Sequence, residues 1–447
     1  MDTKPETPGY VRWVTSTLEK EGYETWAVGG AIRNALLGLA PGDWDLATRA
    51  PPPVVQRLFR RTVPIGIDHG TVGVLTREGI LLEVTTFRRD VETSGRHAVV
   101  EFADTLKEDL ARRDFTVNAI AWHALRKEFQ DPFDGRKDLE AGLIRTVGRP
   151  SDRFSEDYLR ILRALRFAGK FGFRIDEGTW EALCQAAPHL GILSPERIRE
   201  ELMKVLSQDP RPSASLSLYA ESGALEVLYP ELSAIVDTPR PGTEEGIWVH
   251  SLALVDSLSP RRPTLRLAGL LNGIGIPEDD VGEGKTQDDR ARDRAAALLM
   301  RGRFSNAEIR EVTALLGTGL EPPLHLEEAA GVRRWLFLAG PDRFRAFVRL
   351  WAAKARVDGL RLGKDTDPVA ELVWRMRREL SGKPPLRLED LAVNGRDLIG
   401  LGMKPGPHFS DILDGLMDKV LDDPDVNTKE HLLSLVESDD SVQEASG

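Results

Sequence analysis

The stretch "VGGAIRNALLGLAPGDWDLAT", residues 28–48, decides the fold of the N-terminal part of the chain. The residues before it, "YETWA", have the composition of a strand, and this strand runs into a turn at Gly29 and Gly30. "GAIRNALLGL" has helical spacing and ends at Gly38 and Pro41. "WDLAT" predicts a second strand. A strand, a glycine turn, a helix and a strand together predict an α/β unit.

Further strands extend this unit into a small mixed sheet. "GTVGVLT", "ILLEVTTFR" and "HAVVEFA" have the alternation and β-branched content of strands. From about residue 152 the pattern becomes almost purely helical, as in "RFSEDYLRILRALRFAGKFG" and "SPERIREELMKVLSQ". We therefore predict an α/β head followed by all-α neck, body and tail domains.

Two carboxylates close the opening stretch. Asp43 and Asp45 are two residues apart, and on a strand they would project to one face. Neighbouring carboxylates repel unless a cation lies between them, and Mg²⁺ prefers hard oxygen ligands. A third carboxylate, Glu83, stands in an apolar strand, where a buried acid needs a partner. We expect these three acids to be catalytic, with Asp43 and Asp45 as ligands of a two-metal Mg²⁺ site for phosphoryl transfer.

The glycine turn supports this interpretation, because a D-x-D pattern alone is common on surfaces. Gly29 and Gly30 stand at a strand end, before a helix that carries Arg33. Backbone N–H groups at such a helix start favour phosphate. We therefore expect these three residues to bind nucleotide.

Motifs over residues 23–205 carry a resemblance to a known family. They include "AVGGAIRNALLG", "GDWDLAT", "LEVTTFR", "EDLARRDFTVNAIAW", "DPFDGRKDL" and "RTVGRPSDRFSEDYLRILRALRFAGKFGFRID". Together they resemble the class II tRNA nucleotidyltransferases and bacterial poly(A) polymerases. The resemblance implies addition of C, C and A to the tRNA 3′ end from CTP and ATP, without a nucleic-acid template.

The resemblance also assigns the helix in "SEDYLRILRALRF". Asp157, Arg160, Arg163 and Arg166 follow at three-residue spacing, which fans them over one side of a helix. Without the family context, a salt-bridged surface is the simpler interpretation. In the family, the similar helix uses its Asp and Arg to select the incoming base, and arginines donate while carboxylates accept.

The neighbouring "RRDFTVNA" supplies the remaining predicted residues. Arg113, together with Arg163 and Arg166, would face triphosphate or orient the helix, and Asp114 would brace these arginines. Asn118 is either a structural cap or a sugar contact.

The chain departs from the family in two places. The loop "VETSGRHAVVEF", residues 91–102, is about two residues shorter than in many members. A similar loop helps members to switch from CTP to ATP, so an enzyme that adds only CC or only A is an alternative. "IWVHSLALVDSL…LRLAGLLNGIGIP" resembles an HD phosphohydrolase domain, but Asn272 and Gly273 replace the His-Asp pair and Ile276 replaces a Lys. We expect no hydrolase activity, with His250 as a structural histidine.

Two further alternatives stay open. A poly(A) polymerase usually has a "GRRFR"-like stretch where this chain has "PIGIDHGTVGVL", and is usually basic overall. A non-catalytic RNA-binding protein would not need all three carboxylates.

The predicted domains follow the breaks in composition. They are a catalytic head (1–145), a neck with the nucleotide-reading helix (146–208), a degenerate HD-like body (209–325), a tRNA-binding tail (326–436) and a disordered acidic end (437–447). In the tail, Lys404 and the helix start in "GMKPGPHFSDIL" are candidates for phosphate contact.

Composition bounds the setting of the protein. The 447 residues have a net charge of −11, which argues against general polyanion binding. Residues 145–174 nevertheless contain eight basic and three acidic residues, enough for a local phosphate-binding strip. The single cysteine, Cys184, fits a reducing compartment. With neither a signal peptide nor an apolar run long enough to span a membrane, we expect a cytoplasmic protein without membrane contact.

Overall fold

The structure is a computed structural model that describes residues 4–94, 97–276, 286–359 and 368–438, without the side chains of Asp68 and of residues 90–100. The chain forms two compact units, Met1–Ser233 and Ala234–Gly447. The first contains the sheet and the candidate site. The second is helical.

A seven-stranded mixed sheet forms the head, in the order β3-β4-β5-β2-β1-β8-β9. Its strands pair antiparallel except for β2 and β5, which are parallel. Two further pairs lie outside this sheet: an antiparallel hairpin of β6 and β7, and a parallel pair of β10 and β11. The strands are β1 Thr25–Val28, β2 Asp45–Thr48, β3 Thr62–Gly66, β4 Thr71–Leu75, β5 Leu81–Thr86, β6 Arg88–Ser94, β7 His97–Phe102, β8 Ala121–Trp122, β9 Phe129–Gln130, β10 Leu143–Ile144 and β11 Arg174–Ile175.

Helices of the first unit pack around the sheet and continue after it. They are α1 Gly9–Lys20, α2 Gly30–Leu36, α3 Pro52–Leu58, α4 Leu106–Ala111, α5 Gly135–Ala141, α6 Pro150–Glu156, α7 Leu159–Phe171, α8 Glu177–Ala186, α9 Pro195–Gln208, α10 Pro212–Glu221, α11 Ala224–Leu228 and α12 Pro230–Ser233. Local sequence fixes several ends. Thr105 and Glu108 form a capping box that starts α4, and Gly172 ends α7 with a left-handed φ of 66°.

The second unit is helical in the part of the chain that is described, apart from one isolated antiparallel bridge between Pro239 and Gly246. Its helices are α13 Ile247–Ser257, α14 Pro263–Leu270, α15 Gln287–Arg301, α16 Asn306–Gly317, α17 Ala329–Ala339, α18 Phe344–Val357, α19 Pro368–Ser381, α20 Gly395–Gly400, α21 His408–Asp422 and α22 Lys429–Glu437. No described helix is long and apolar enough to span a lipid bilayer.

A core of apolar side chains packs against one face of the sheet. It consists of Trp26, Val28, Ala47, Phe87, Ala103, Leu106, Leu110, Ala119, Ala121 and Val147, with Phe133 packed against it. The predicted fold class, an α/β head with a mixed sheet followed by helical domains, is confirmed. One short strand, β11, lies beyond residue 152, where only helices were predicted.

The helix predicted over residues 153–172 is in fact two helices. Asp157 separates α6 from α7 with an extended backbone (φ −156°, ψ 104°). Its Oδ1 accepts a hydrogen bond from the Leu159 N–H at 3.1 Å, a local contact that competes with helix continuation. The prediction that Asp157 shares one helix with the three arginines is therefore wrong, whereas Arg160, Arg163 and Arg166 do lie on α7.

Candidate active site

Two of the three predicted carboxylates, Asp45 and Glu83, meet in one row across the sheet. Val28 of β1 is the register partner of Asp45 in β2, Asp45 is the partner of Glu83 in β5, and Glu83 is the partner of Gly73 in β4. Because neighbours in register project to the same face, the side chains of Asp45 and Glu83 lie next to each other. This face is open, since Glu83 is exposed. The prediction that Glu83 is buried is therefore wrong.

Asp43 also differs from its prediction. It lies in a bend before β2, which begins at Asp45, and its side chain is exposed. The strand alternation that was to align the two aspartates therefore does not apply. Asp43 is still close enough to act on Asp45 electrostatically.

The surroundings of Asp45 raise its pKa. Burial, and then the negative charge of Glu83, raise its pKa to about 6, with Asp43 adding to the rise and Arg113 opposing it. A cation placed between these oxygens would relieve this repulsion. Among the described residues, no group of three or more His, Cys, Asp or Glu is arranged to hold a metal ion by itself. Two carboxylates completed by substrate phosphates are an ordinary Mg²⁺ site, so the donor set fits that ion.

A cavity of about 550 Å³ opens beside the carboxylates in the first unit. Its lining contains acidic side chains and a larger number of basic side chains. The lining residues are Val28, Gly29, Gly30, Arg33, Asp45, Leu46, Thr71, Glu83, Thr85, Arg88, Asp109, Arg112, Arg113, Asp114, Asn118, Arg163, Arg166, Phe167, Lys204 and Gln208. Eight of the eleven predicted site residues line the cavity, whereas Asp43, Asp157 and Arg160 do not.

Gly29 allows a guanidinium to approach the carboxylates. Its φ of +78° disfavours any side chain, and a Cβ there would lie 3.1 Å from Arg113 Nη1 and 3.8 Å from Asp45 Oδ2. Gly30 follows as the first residue of α2. Asp109 holds the Arg113 guanidinium by accepting a 3.2 Å hydrogen bond from Nη2. Positive charge is thus positioned beside Asp45.

Arg33 is a buried cation, only 6% exposed. Its guanidinium lies 4.8 Å from the ring centres of both Phe167 and Phe171, and Nη1 donates a 2.6 Å hydrogen bond to Asn118 Oδ1. Burial lowers the pKa of Arg33 to about 10, which leaves it protonated at neutral pH. Cation–π contact is the arrangement expected of a desolvated arginine.

A hydrogen-bonded chain links this cation to α7. Asn118 donates to Asp114 Oδ1 at 2.9 Å, and Asp114 Oδ2 accepts from Arg163 at 2.6 and 2.7 Å. Burial alone would raise the pKa of Asp114, but Arg163, Asn118 and the backbone N–H of Phe115 hold it at about 2. Asp114 therefore braces one of the three predicted arginines, Arg163, whereas Arg113 and Arg166 are held by Asp109 and Glu201. Asn118 acts as the relay between Arg33 and Asp114.

Helix α9 supplies site residues that the sequence did not indicate. Glu201, 1% exposed, accepts a 2.7 Å hydrogen bond from Arg166, and Lys204 donates to its other oxygen at 2.7 Å. Glu201, Lys204 and Gln208 follow one another at steps of three and four residues, which places them on one helix face. That spacing was a usable signal. What it could not show is that the face packs against α7.

Asp109 was also missed. It is 1% exposed and accepts hydrogen bonds from Arg112 and Arg113, three and four residues later. An acid followed at that spacing by two arginines on a helix was readable in "EDLARRD".

Thr71 and Thr85 also line the cavity, and their hydroxyl oxygens lie 3.0 Å apart.

The two predicted base-selecting residues are held outside the cavity lining. Arg197 donates to Asp157 Oδ1 at 3.0 Å and to Oδ2 at 2.7 Å. Arg160 donates from Nη1 to Glu156 at 2.5 Å and to the Arg153 carbonyl, and from Nη2 to the Arg112 carbonyl. The predicted Asp157–Arg160 pair is therefore not a direct ion pair. Each side chain is anchored by another residue.

In the second unit, His250 has the partners expected of a structural histidine. It is 1% exposed, its Nε2 lies 3.1 Å from Asp358 Oδ1, and its Nδ1 lies 3.4 Å from Asn272 Nδ2. Burial, with the positive charges of Arg240 and Lys354, lowers the pKa of His250. His250 is thus a buried and hydrogen-bonded histidine, as predicted, and Asn272 is one of its two partners.

The structure describes only part of the shortened loop at residues 91–102. Gly95 and Arg96 of the shortened loop lie outside the described residues, and His97 begins β7. Lys404 is exposed on the loop before α21.

Comparison with known proteins identifies similar sequences. A family profile described as "Poly A polymerase head domain" matches residues 25–145. Profiles of an RNA-binding region of polymerase A and of a second tRNA nucleotidyltransferase domain match residues 172–236 and 381–436. The chain is 35% identical over 436 residues to a CCA-adding enzyme of Geobacillus thermodenitrificans, with 96% of each chain covered. It is 34% identical over 423 residues to that of Geobacillus kaustophilus, with 93% of each covered.

A solved structure is similar over the same length. It is the Bacillus stearothermophilus CCA-adding enzyme in complex with CTP, with a TM-score of 0.73 and 30% identity. The match covers 98% of this chain and 99% of that one.

Proposed function

The chain belongs to the CCA-adding enzyme family of tRNA nucleotidyltransferases, and from that premise we propose that it adds C, C and A to the 3′ end of tRNA from CTP and ATP. In each step the 3′ oxygen of the tRNA forms a bond to the α-phosphorus of the nucleotide. The bond to the bridging oxygen breaks, and pyrophosphate leaves.

One observation carries the proposal: a single cavity is lined by Asp45 and Glu83 together with Arg33, Arg113 and Arg163. A nucleoside triphosphate needs both kinds of group. Guanidinium groups bind phosphate oxygens with paired N–H donors, and fixed cations stabilise the charge that develops during phosphoryl transfer. A relative of 30% identity has been solved with CTP.

We assign the metal site to Asp45 and Glu83, with Asp43 beside them. These are hard oxygen donors that would hold Mg²⁺, and burial followed by repulsion from Glu83 raises the pKa of Asp45 when no cation is present. Bound Mg²⁺ supplies Lewis-acid polarisation of phosphate oxygens and of the attacking hydroxyl.

The cations of the cavity have separate roles in this proposal. Arg113 lies beside Asp45, where it meets the phosphates closest to the reacting atoms. Arg33 and Arg163 are fixed by Asn118 and Asp114, so their charges stay in place without reorganisation. Arg166, tied to the buried Glu201, supports α7.

Base selection falls to Asp157 and Arg160, and the remaining hydrogen-bonding capacity supports this assignment. A carboxylate has about four acceptor positions. The described contacts of Asp157 use three, two of them on Oδ1 and one on Oδ2, so one position on Oδ2 stays open. The described contacts of Arg160 use three of its five N–H protons, so one Nη2 proton and the Nε proton are left.

An acceptor that faces an amino group and a donor that faces the adjacent ring nitrogen match two of the four bases. Cytosine and adenine each present an amino donor next to a ring-nitrogen acceptor. Uracil and guanine present a carbonyl next to a ring N–H, so each would leave a polar group unpaired. The anchors Arg197 and Glu156 leave both side chains with free hydrogen-bonding positions, and in this proposal the fixed order of acceptor and donor favours C and A.

The remaining assignments are part of the same proposal. Residues 146–208 act as the neck, and residues 326–436, with Lys404, act as a tRNA-binding tail. Because the single Cys184 fits a reducing compartment, we place the enzyme in the cytoplasm.

The test uses pure protein and three tRNAs that end at the discriminator base, at C and at CC. CTP and ATP are supplied separately. The proposal predicts C addition to the first two substrates and A addition only to the third, with loss of all additions in Asp43→Ala and Asp45→Ala. Addition of C only, or of A only, would identify a partial enzyme. Repeated A addition would identify a poly(A) polymerase.

A further inference from the structure

An exposed apolar patch lies next to the catalytic carboxylates. Ile65 and Leu81 are 41% and 46% exposed, and both side chains reach over Gly73. A Cβ at Gly73 would lie 2.6 Å from Ile65 Cδ1 and 2.9 Å from Leu81 Cδ1. Val63, 43% exposed, is the register partner of Gly73. We call these four residues the β3–β5 patch.

The patch faces the same side of the sheet as the carboxylates. Along β5, Leu81 and Glu83 alternate with the buried Leu82 and Val84. Gly73 is the register partner of Glu83. Because neighbouring strands lie about 5 Å apart, the patch begins about 5 Å from the Glu83 backbone.

The order of residues across the sheet separates cations from the patch. Arg113 approaches Gly29, which follows β1 on the Asp45 side of the row. The β3–β5 patch lies beyond Glu83 on the opposite side. Arg88 lines the cavity past the other end of β5. If the triphosphate lies against the arginines, the side of the patch is open to the attacking 3′ hydroxyl.

We propose that the β3–β5 patch binds the last nucleotide of the RNA acceptor, with its base or ribose against Ile65 and Leu81. This inference rests on the proposed function. Bases have apolar faces that bind apolar and aromatic side chains without sequence preference. The acceptor end must accept a different terminal nucleotide at each step, so a surface without directional hydrogen bonds suits it.

Charge at the end of the patch supports an RNA occupant. Arg61 precedes β3, where its carbonyl accepts from the Leu75 N–H at 3.0 Å, and Arg77 stands in the turn between β4 and β5. Both are exposed, and within the described residues neither forms an ion pair. They can therefore meet backbone phosphates of the nucleotides that precede the terminal one.

The edge strand argues against a protein occupant. β3 is the edge of the sheet, and Pro64 in its middle has no N–H to donate to an added strand. A register shift between Pro64 and Gly66 disrupts the edge further. Such features block strand addition, while the apolar side chains remain open.

The experiment measures the binding of a fluorescent acceptor-stem minihelix without nucleotide. Ile65→Ala/Leu81→Ala should weaken minihelix binding about tenfold, because the two changes remove apolar groups that one nucleotide would partly cover. Its affinity for CTP should stay within twofold of wild type. Ile65→Val/Leu81→Met should bind like wild type. Leu125→Ala is the matched control, because Leu125 is 42% exposed in the turn of the opposite edge pair, β8–β9.

A second measurement locates the contact. Removal of the terminal nucleotide from the minihelix should weaken binding to wild type but not to Ile65→Ala/Leu81→Ala, since the two changes remove one interaction. Additive losses, or unchanged minihelix affinity in the double variant, would overturn the inference, as would a change of oligomeric state. Because this assay needs no turnover, failure of wild type to add nucleotides would reject the proposed function separately.

Discussion

The substitution Asp45→Asn should stabilise the first unit while it abolishes activity. Burial and the charges of Glu83 and Asp43 raise the pKa of Asp45 from 3.8 to about 6. One unit of pKa corresponds to about 1.4 kcal/mol, so the ionised carboxylate destabilises the fold by at most about 3 kcal/mol. Asparagine has nearly the same shape and no charge. It should recover much of that free energy in metal-free buffer.

The pH dependence gives the sign of the effect. Above about pH 6 the carboxyl is ionised in both the folded and the unfolded chain, so the full cost is present. Below pH 3.8 it is neutral in both, and the advantage of the asparagine variant should vanish. Between these limits the wild type loses stability relative to the variant as pH rises.

The assay is hydrogen exchange of the β1 and β2 amides in EDTA, which reports this unit separately from the other one. Asp43→Asn, at an exposed position, is the control and should give a smaller gain. Mg²⁺ should stabilise wild type and have little effect on Asp45→Asn. If the asparagine variant is no more stable at pH 8, or gains equally at pH 4, the electrostatic account of the site is wrong.

Three further predictions follow from the anchored side chains. Arg197→Met should relax nucleotide choice, as should Asp157→Ala, with UTP and GTP incorporated in single-nucleotide extension; an unchanged ranking would make the pair a surface feature. Asp114→Asn should lower the free energy of unfolding by about 1–3 kcal/mol, less than for a fully buried ion pair, because the Arg163 side chain that loses its partner charge is 32% exposed. A loss below 1 kcal/mol in denaturant titration would contradict the bracing role. The second unit should show no Mn²⁺- or Ni²⁺-dependent phosphodiesterase activity, and activity abolished by His250→Ala would refute this.

The sequence predicted the elements of the head better than their arrangement. The glycine turn, α2 and β2 were readable because composition and spacing are local signals. The pairing of Asp45 with Glu83 was not, since it depends on a parallel register between strands that are distant in the chain. The exposure of Glu83 follows from the open cavity face, which an apolar strand sequence does not reveal.

The break at Asp157 shows a second limit. Helical periodicity predicted one continuous helix, but Asp157 bonds the Leu159 N–H and is held by Arg197, forty residues further on. Periodicity averages over such a site, whereas one side-chain contact can end a helix. The family resemblance identified the residue, and only the structure located the anchor.

The most direct test of the central claim is sequencing of the 3′ end after reaction. A tRNA that ends at the discriminator base is incubated with the protein, Mg²⁺ and all four nucleoside triphosphates. The account predicts a product that ends in CCA and grows no further, with no product from Asp45→Asn. A product of any other sequence, or growth that persists in the Asp45→Asn variant, would contradict it.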